Sequence, residues 1–403
     1  MEKSFGPLQG MKVVELAHIM AGPVCGLMLA DLGADVIKVE KIPGGDDSRR
    51  FLPPDIDGES AAYMMMNRNK RGVALDLKTE NGKKVLRKLL ADADVVTENY
   101  RHDTMQKLGF GYEDLKKDNP GLIYCAISGF GRTGPYAERG GFDLIAQGMS
   151  GLMSFTGEGP GRPPCKVGAP VTDITAGILA ALGCVSAYVH KLKTGEGQIV
   201  DTSLFEAGIV HTYWQSAIAL ATGIAPGPMG SAHPLNGPYQ AFETKDGWIT
   251  IGAANQRNWE RLLNAMESPE IADDPRFANN SERMANLKEL ENVLTPIFKT
   301  RTKDDWLERL EKAGVPAGPV MDVCEMFEDP HAQARDMIPT VDHSKLGPVR
   351  TLGLPIKLSE TPGEVATAAP LFGQHTEEVL AEYGFGEDEI AAFADEGAVA
   401  TSS

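Results

Sequence analysis

Short apolar runs separated by helix-length segments fill the first third of the sequence, and they leave little choice of architecture. Residues 11–17 read as a buried strand running to Gly22-Pro23, residues 24–32 as a helix closed by Gly33, and residues 35–40 as a second strand. Two strands joined by one helix form a βαβ unit, in which the crossover returns the chain so that the strands run parallel. The alternation continues with a helix over 82–92, a strand over 94–98, a short helix over 103–108 and a strand over 121–127. The spacing predicts a doubly wound α/β domain. Ala21-Gly22-Pro23 after the first strand is not a GxGxxG turn, so the fold carries no expectation of NAD.

Further on, the Gly/Pro-rich stretch 168–172 turns at Asp173 into a long apolar helical run, 174–188. A carboxylate at a helix start is ordinarily an N-cap, satisfying N–H groups that lack intrahelical partners. A strand over 198–202 and an apolar stretch over 204–221 follow, then residues 223–233, too rich in breakers for a regular element and a candidate mobile lid. The texture then changes. Residues 238–243 and 248–251 around Lys245-Asp246-Gly247 read as a β-hairpin, followed by charged helices over 257–266, 282–300 and 303–313. Residues 315–320 lead back to a final helix near 377–383, and residues 398–403 read as a disordered tail. The expected organisation is a large Rossmann-like domain from residues 1–225 and 320–403, with a smaller α+β domain over 226–319.

A chain of 403 residues can bury a core in each of two such domains. The net charge of -17, with no long Lys/Arg run to offset it, excludes nucleic acid and anionic membrane as expected partners. Five cysteines without CxxC spacing read as reduced and mostly packed. With no apolar signal core over residues 1–7 and no stretch read as a membrane span, a cytoplasmic location is expected. No metal-ligand cluster is apparent, and no tightly bound cofactor is expected.

An anionic small molecule fits better. His18 follows the first strand, Lys41 the second, Asn67-Arg68-Asn69-Lys70-Arg71 precedes another, and Glu98-Asn99-Tyr100-Arg101 closes the fourth. Singly these are surface charges or a core histidine. Together, at the carboxyl edge of an open α/β sheet where ligands bind, they suit a phosphorylated adenine nucleotide.

The motifs Leu16-Ala17-His18-Ile19-Met20-Ala21-Gly22-Pro23, Asp35-Val36-Ile37-Lys38-Val39-Glu40, Asn69-Lys70-Arg71-Gly72, Glu98-Asn99-Tyr100-Arg101, Ser128-Gly129-Phe130-Gly131-Arg132-Thr133-Gly134-Pro135, Gly314-Val315-Pro316-Ala317-Gly318-Pro319 and Gly373-Gln374-His375-Thr376 together resemble the class III CoA-transferases, a family that includes formyl-CoA and carnitine CoA-transferases. The likeness runs from about residue 8 to 393, with the motifs in the family's order. It implies that Asp173 is the catalytic nucleophile and that His18, Met20, Ala21, Lys41, Leu77, Lys78, Asn99, Tyr100 and Lys107 bind CoA. Lys41 and Lys107 stand where formyl-CoA transferase has arginine, which keeps the charge and loses the bidentate geometry. Residues 229–233 correspond to the family's mobile loop, with fewer glycines. The resemblance further implies coenzyme A and acyl-CoA as substrates, and two chains interlocked as a homodimer.

Within the same fold, α-methylacyl-CoA racemases need two opposed bases. Phe142 occupies the place of one of them and cannot take a proton, which disfavours that alternative. A non-catalytic CoA-binding protein is disfavoured by Asp173 in its motif. For the acid, Gly230, Ser231 and His233 in the lid-equivalent loop are the candidate substrate residues, with Arg49-Arg50 as further cations. A similar loop followed by Pro-Tyr-Gln-Ala-Phe, here residues 238–242, occurs in succinyl-CoA-dependent enzymes for dicarboxylic acids. Short dicarboxylates with a succinyl-CoA donor are therefore expected.

Overall fold

The computed structural model describes residues 6–402. The chain forms two compact units, one of Met1–Ser150, Val167–His211 and Pro330–Ser403, the other of Gly151–Lys166 and Thr212–Asp329. Residues 151–166, 212–225 and 320–329, read from sequence as part of the large domain, thus cluster with residues 226–319.

The first unit is built on a seven-stranded sheet in the order Val399–Ala400, Lys70–Leu75, Asp35–Lys41, Lys12–Glu15, Val95–Glu98, Ile123–Ser128, Ile199–Ser203. All neighbours are parallel except the first pair, Val399↔Leu75 and Ala400↔Ala74, which is antiparallel. Buried on both faces, the central strands carry adjacent Val/Ile pairs rather than strict alternation. One face packs Val85, Leu86, Leu89 and Leu90 with Val379 and Leu380 from near the chain's end. Truncating a fully buried leucine such as Leu89 to alanine costs about 2–5 kcal/mol. The other face packs Cys25 and Leu29 with Ala176, Ala180 and Cys184.

Two features depart from the sequence reading. Residues 398–402 are not a disordered tail: Ala398 and Val399 are buried and complete the sheet edge, and Ala398 O accepts the Asp76 N–H at 2.9 Å. Ser403 lies outside the described residues. The long helix spans Val171–Thr194, so its cap position is Pro170 and Asp173 is the third helical residue. Asp173 therefore does not cap the helix.

That helix buries a stripe of small residues, Thr172, Ala176, Gly177, Ala180, Ala181, Cys184 and Ala187. Gly177 permits the close approach: a Cβ there would lie 2.5 Å from Ala21 O and 2.7 Å from Val24 Cβ. Ile178, Leu182, Val189 and Leu192 stay exposed along the opposite side, at helical spacing. Among the described residues this is the one helix long and apolar enough to cross a membrane by length and composition.

The second unit carries an antiparallel sheet, Ala317–Pro319, Trp248–Gly252 and Tyr239–Glu243, the last two joined as the expected hairpin with Thr244 N–H donating to Gly247 O at 2.7 Å. Helices Gln256–Ala265, Leu287–Phe298 and Lys303–Ala313 cover it around Phe242, Ile249, Trp259, Phe298 and Trp306. Trp306 stacks edge-on against Phe298 at 5.0 Å and donates its indole N–H to Phe298 O at 2.7 Å, so the one polar atom of this buried ring is satisfied.

Candidate active site

The order of the parallel strands in the sheet reverses between Lys12–Glu15 and Val95–Glu98. Loops leaving two strands at such a reversal diverge to opposite faces and open a crevice at their carboxyl ends. The residues found there are His18 and Asn99. The Asn99 side chain clips both backbone groups of His18, accepting its N–H at 3.0 Å and donating to its carbonyl at 2.8 Å. The His18 ring lies 5.8 Å from that of Tyr100. Burial pushes the imidazole pKa of His18 down, against the pull of Asp46 and Asp47. At the end of the next strand, Lys41 Nζ reaches Asp47 at 2.7 Å, a carboxylate that also pairs with Arg50 at 2.7 Å and faces His18 Nδ1 at 3.4 Å. Leu77 and Lys78 leave the strand beside that of Lys41, and Met20 and Ala21 open the first helix. Four adjacent strand ends thus bring together most of the residues expected to hold CoA. Lys107 stands apart, exposed on Thr104–Leu108 and paired with Asp103 at 3.2 Å.

Asp173 is half-buried and has no hydrogen-bond or ion-pair partner among the described residues. Its helix start is satisfied instead by Asp143, which accepts both the Thr172 N–H at 3.0 Å and the Thr172 hydroxyl at 2.7 Å, and is itself held by Gln147 Nε2 at 2.8 Å. Burial, and next the nearby Asp143 charge, push the Asp173 pKa up to about 7. One helical turn beyond it, Gly177 packs on Ala21 and Val24, so Asp173 stands roughly 6 Å along the helix from the contact with the first helix's amino end. An unpartnered carboxylate beside the start of that helix is free to attack an electrophile.

In the second unit, Gly230, Ser231 and His233 belong to an ordered loop. Gly230 N–H donates to Gly157 O at 2.9 Å, Ser231 Oγ accepts from Ala241 N–H at 3.0 Å, and His233 N–H donates to Tyr239 O at 2.9 Å. The His233 ring stacks on Tyr239 at 5.1 Å and meets Trp214 edge-on at 5.9 Å. His233 Nδ1 accepts the Leu235 N–H at 3.1 Å, which leaves the proton on Nε2.

Arg49 is not available to a substrate. It is bidentate to Glu40 at 2.7 Å, donates to Pro370 O at 3.0 Å and lies 3.7 Å over the Tyr63 ring. Two residues that sequence reasoning left unassigned have clear local roles. Asp143 was visible only as the neighbour of Phe142, yet it fixes the first turn of the Asp173 helix. Arg132, in the glycine-rich loop, bonds to the buried Glu98 and to Tyr100 O at 3.3 Å, which steadies the Asn99-Tyr100 turn. An Arg set among glycines just after a strand is the signal that could have pointed to it.

The model of CoA-transferase family III matches residues 8–376. The chain belongs to CoA-transferase family III. This CoA-transferase is 42% identical to the succinate–glutarate CoA-transferase of Agrobacterium fabrum, over 93% of its own length and 95% of that protein's. It is 39% identical to the succinyl-CoA:mesaconate CoA-transferase of Haloarcula hispanica, over 94% and 97%. Among solved structures, a CAIB/BAIF family protein from Brucella suis matches with a TM-score of 0.84 at 42% identity, covering 94% of this CoA-transferase and 99% of that chain.

Proposed function

We propose that this CoA-transferase moves CoA from succinyl-CoA to a short dicarboxylic acid through Asp173. The observation that carries the reading is the unpartnered Asp173 carboxylate, beside the amino end of the helix that begins at the His18 loop. In the first step an Asp173 oxygen attacks the thioester carbonyl, the C–S bond breaks, and CoA leaves as thiolate from a mixed anhydride. The thiolate then attacks the aspartyl carbonyl and releases succinate, leaving an aspartyl-CoA thioester. The acceptor's carboxylate displaces the thiolate to form a second anhydride, and the returning thiolate takes the new acyl group and frees Asp173. Each exchange trades one thioester or anhydride for another, so the site has to orient groups and exclude water more than supply driving force. His18, Met20, Ala21, Lys41, Leu77, Lys78, Asn99, Tyr100 and Lys107 are read as the CoA-binding set.

The dicarboxylate preference draws on the relatives named for glutarate and mesaconate, and on His233. With its proton on Nε2, His233 offers a donor to a second carboxylate, and Gly230 and Ser231 shape the loop that carries it. The decisive experiment is a screen of acyl-CoA donors against mono- and dicarboxylate acceptors, following CoA exchange by mass spectrometry. Reaction with monocarboxylates alone would overturn the substrate reading; absence of an acyl-enzyme trappable by hydroxylamine would overturn the mechanism.

The assembly read for this chain is an interlocked homodimer, in which the first unit forms the CoA-binding part and the second, which takes in residues 151–166, 212–225 and 320–329 as well as 226–319, the smaller domain. The exposed apolar line Ile178, Leu182, Val189 and Leu192 supports a partner surface on the Asp173 helix. Light scattering on dilution tests it: an active, folded monomer is incompatible with two threaded chains.

A further inference from the structure

Beneath the His18 loop lies a group of ionised side chains sealed from solvent. Lys38, Lys70 and Glu15 are 0–2% exposed and Asp46 is 3% exposed. Glu15 bridges both lysines, with Lys38 Nζ at 2.9 Å and Lys70 Nζ at 2.9 Å, and Asp46 takes Lys38 Nζ at 2.8 Å. Burying four charges costs several kcal/mol per ion before pairing, and apolar residues of similar volume often do as well or better for stability. Stability alone is a poor reason for such a cluster.

What the cluster does besides pairing is visible in its remaining bonds. Lys38 Nζ donates to Ala17 O at 3.0 Å, Asp46 Oδ1 accepts the Ile19 N–H at 3.0 Å, and Lys70 Nζ donates to Pro23 O at 2.9 Å. Lys38 and Asp46 therefore each hold one backbone group of the segment that joins the first strand to the first helix, and Lys70 holds one in that helix's first turn. Between the Ala17 and Pro23 anchors, Ile19 sits at φ 68°, a left-handed conformation that a β-branched residue adopts only under constraint. On Ile19 itself the constraint is the Asp46 carboxylate, which is fixed in turn by the Ser48 N–H at 2.9 Å and by Lys38, while Asn99 holds both backbone groups of the adjacent His18. Burial opposes the Asp46 charge, but Lys38 and the two N–H donors outweigh it and hold that carboxyl well below the usual range, so it stays ionised throughout the working pH range.

We infer that Lys38 and Asp46 are positioning residues for CoA: through Ala17 O and the Ile19 N–H they hold the 17–20 turn in its strained shape, and that shape turns His18 toward the nucleotide. The inference deepens the CoA-binding reading of this loop and rests on it. Neither residue touches the ligand in this account; they act through the backbone. The left-handed Ile19 gives the inference a specific signature. Glycine adopts that conformation without cost, so Ile19→Gly should lessen the need for the clamp. A cluster that merely stabilised the sheet would gain nothing from a glycine in the loop.

The test compares Kd for CoA by calorimetry in the wild type, His18→Ala, Asp46→Asn and Asp46→Asn/Ile19→Gly, with thermal unfolding of each. Asparagine keeps the shape and an acceptor oxygen for the Ile19 N–H but leaves Lys38 short of one charge. Expected is a Kd raised about ten- to a hundredfold in Asp46→Asn, the scale of one charged hydrogen bond, with part of the loss recovered by Ile19→Gly. Weakening by His18→Ala but not by Asp46→Asn overturns the clamp and leaves the loop as a CoA site. No change in either overturns both. Should Asp46→Asn prove too unstable for calorimetry, hydrogen exchange at the Ile19 amide decides: faster exchange at 17–20 than in the sheet strands supports the clamp, and equal acceleration throughout the unit overturns it.

Discussion

If Asp173 is the nucleophile, its protonation sets the pH dependence of the first half-reaction. Its pKa is pushed from the ordinary 3.8 up to about 7 by burial and by the Asp143 charge. Only the carboxylate attacks, so kcat/KM for the acyl-CoA donor, which reports ionisations of the free enzyme, follows the ionised fraction. That fraction is about 50% at pH 7, about 9% at pH 6 and about 1% at pH 5, whereas an ordinary aspartate would be about 99% ionised even at pH 6. The measured profile should fall about fivefold from pH 7 to pH 6 and close to tenfold from pH 6 to pH 5. Asp143→Asn removes the nearby negative charge while keeping an acceptor for the Thr172 N–H, so the Asp173 pKa falls and the profile moves to lower pH. The assay is initial-rate kinetics from pH 5 to 8.5 at constant ionic strength, on both proteins. A flat profile from pH 5 to 8, or one unmoved by Asp143→Asn, would refute the reasoning.

Asp173→Ala should abolish transfer and hydroxylamine trapping while Kd for CoA stays within about twofold, because the carboxylate contributes no contact to the His18 loop; calorimetry beside turnover checks this. Asp173→Asn should stabilise the fold in alkaline solution: the folded-state pKa lies above the unfolded one, so the wild type loses stability as pH rises from about 4 through about 7. Its advantage in urea titrations should grow from near zero at pH 4 to about 2–4 kcal/mol at pH 8. Gly177→Ala would thrust a Cβ within 2.5 Å of Ala21 O, a backbone atom, and should cost about 1–3 kcal/mol in the same titrations. His233→Ala should raise KM for dicarboxylate acceptors about tenfold while leaving monocarboxylates unchanged, the loss expected for one hydrogen bond to a charged group.

The parallel sheet was legible because short Val/Ile/Leu-rich runs, such as residues 11–17 and 35–40, alternate with helix-length segments and are set off by glycines. The convergence of His18, Lys41, Asn99 and Tyr100 was legible for the same reason, since once strand ends are known the crevice edge follows. Asp143 was not, because its effect depends on a helix that packs beside the start of another one some thirty residues on. The Lys38-Glu15-Lys70-Asp46 cluster escaped notice for a related reason. A lysine inside a strand reads as an edge or solvent-facing position, and only the register of three neighbouring strands reveals that its side chain is enclosed. Residues 398–400 misled in the opposite way. A short terminal run carries too little pattern to register as a strand until its partner, Lys70–Leu75, is in view.

The pairing of Val399–Ala400 with Lys70–Leu75 also fixes an order of events during synthesis. Thr376 Oγ1 accepts the Ala74 N–H at 3.1 Å and His375 Nδ1 accepts the Gly72 N–H at 3.0 Å, so the far side of that strand is covered by segments made last. Until then Lys70–Leu75 is an open sheet edge, and Leu86 and Leu89 lack the cover of Val379 and Leu380. The first unit can thus assemble its six parallel strands while the chain is still growing, yet it shuts only after the whole excursion through the second unit has been made. Under the proposed interlocked assembly, this late closure supplies the interval in which one chain can pass the other. A nascent chain stalled before residue 376 would hold that gate open.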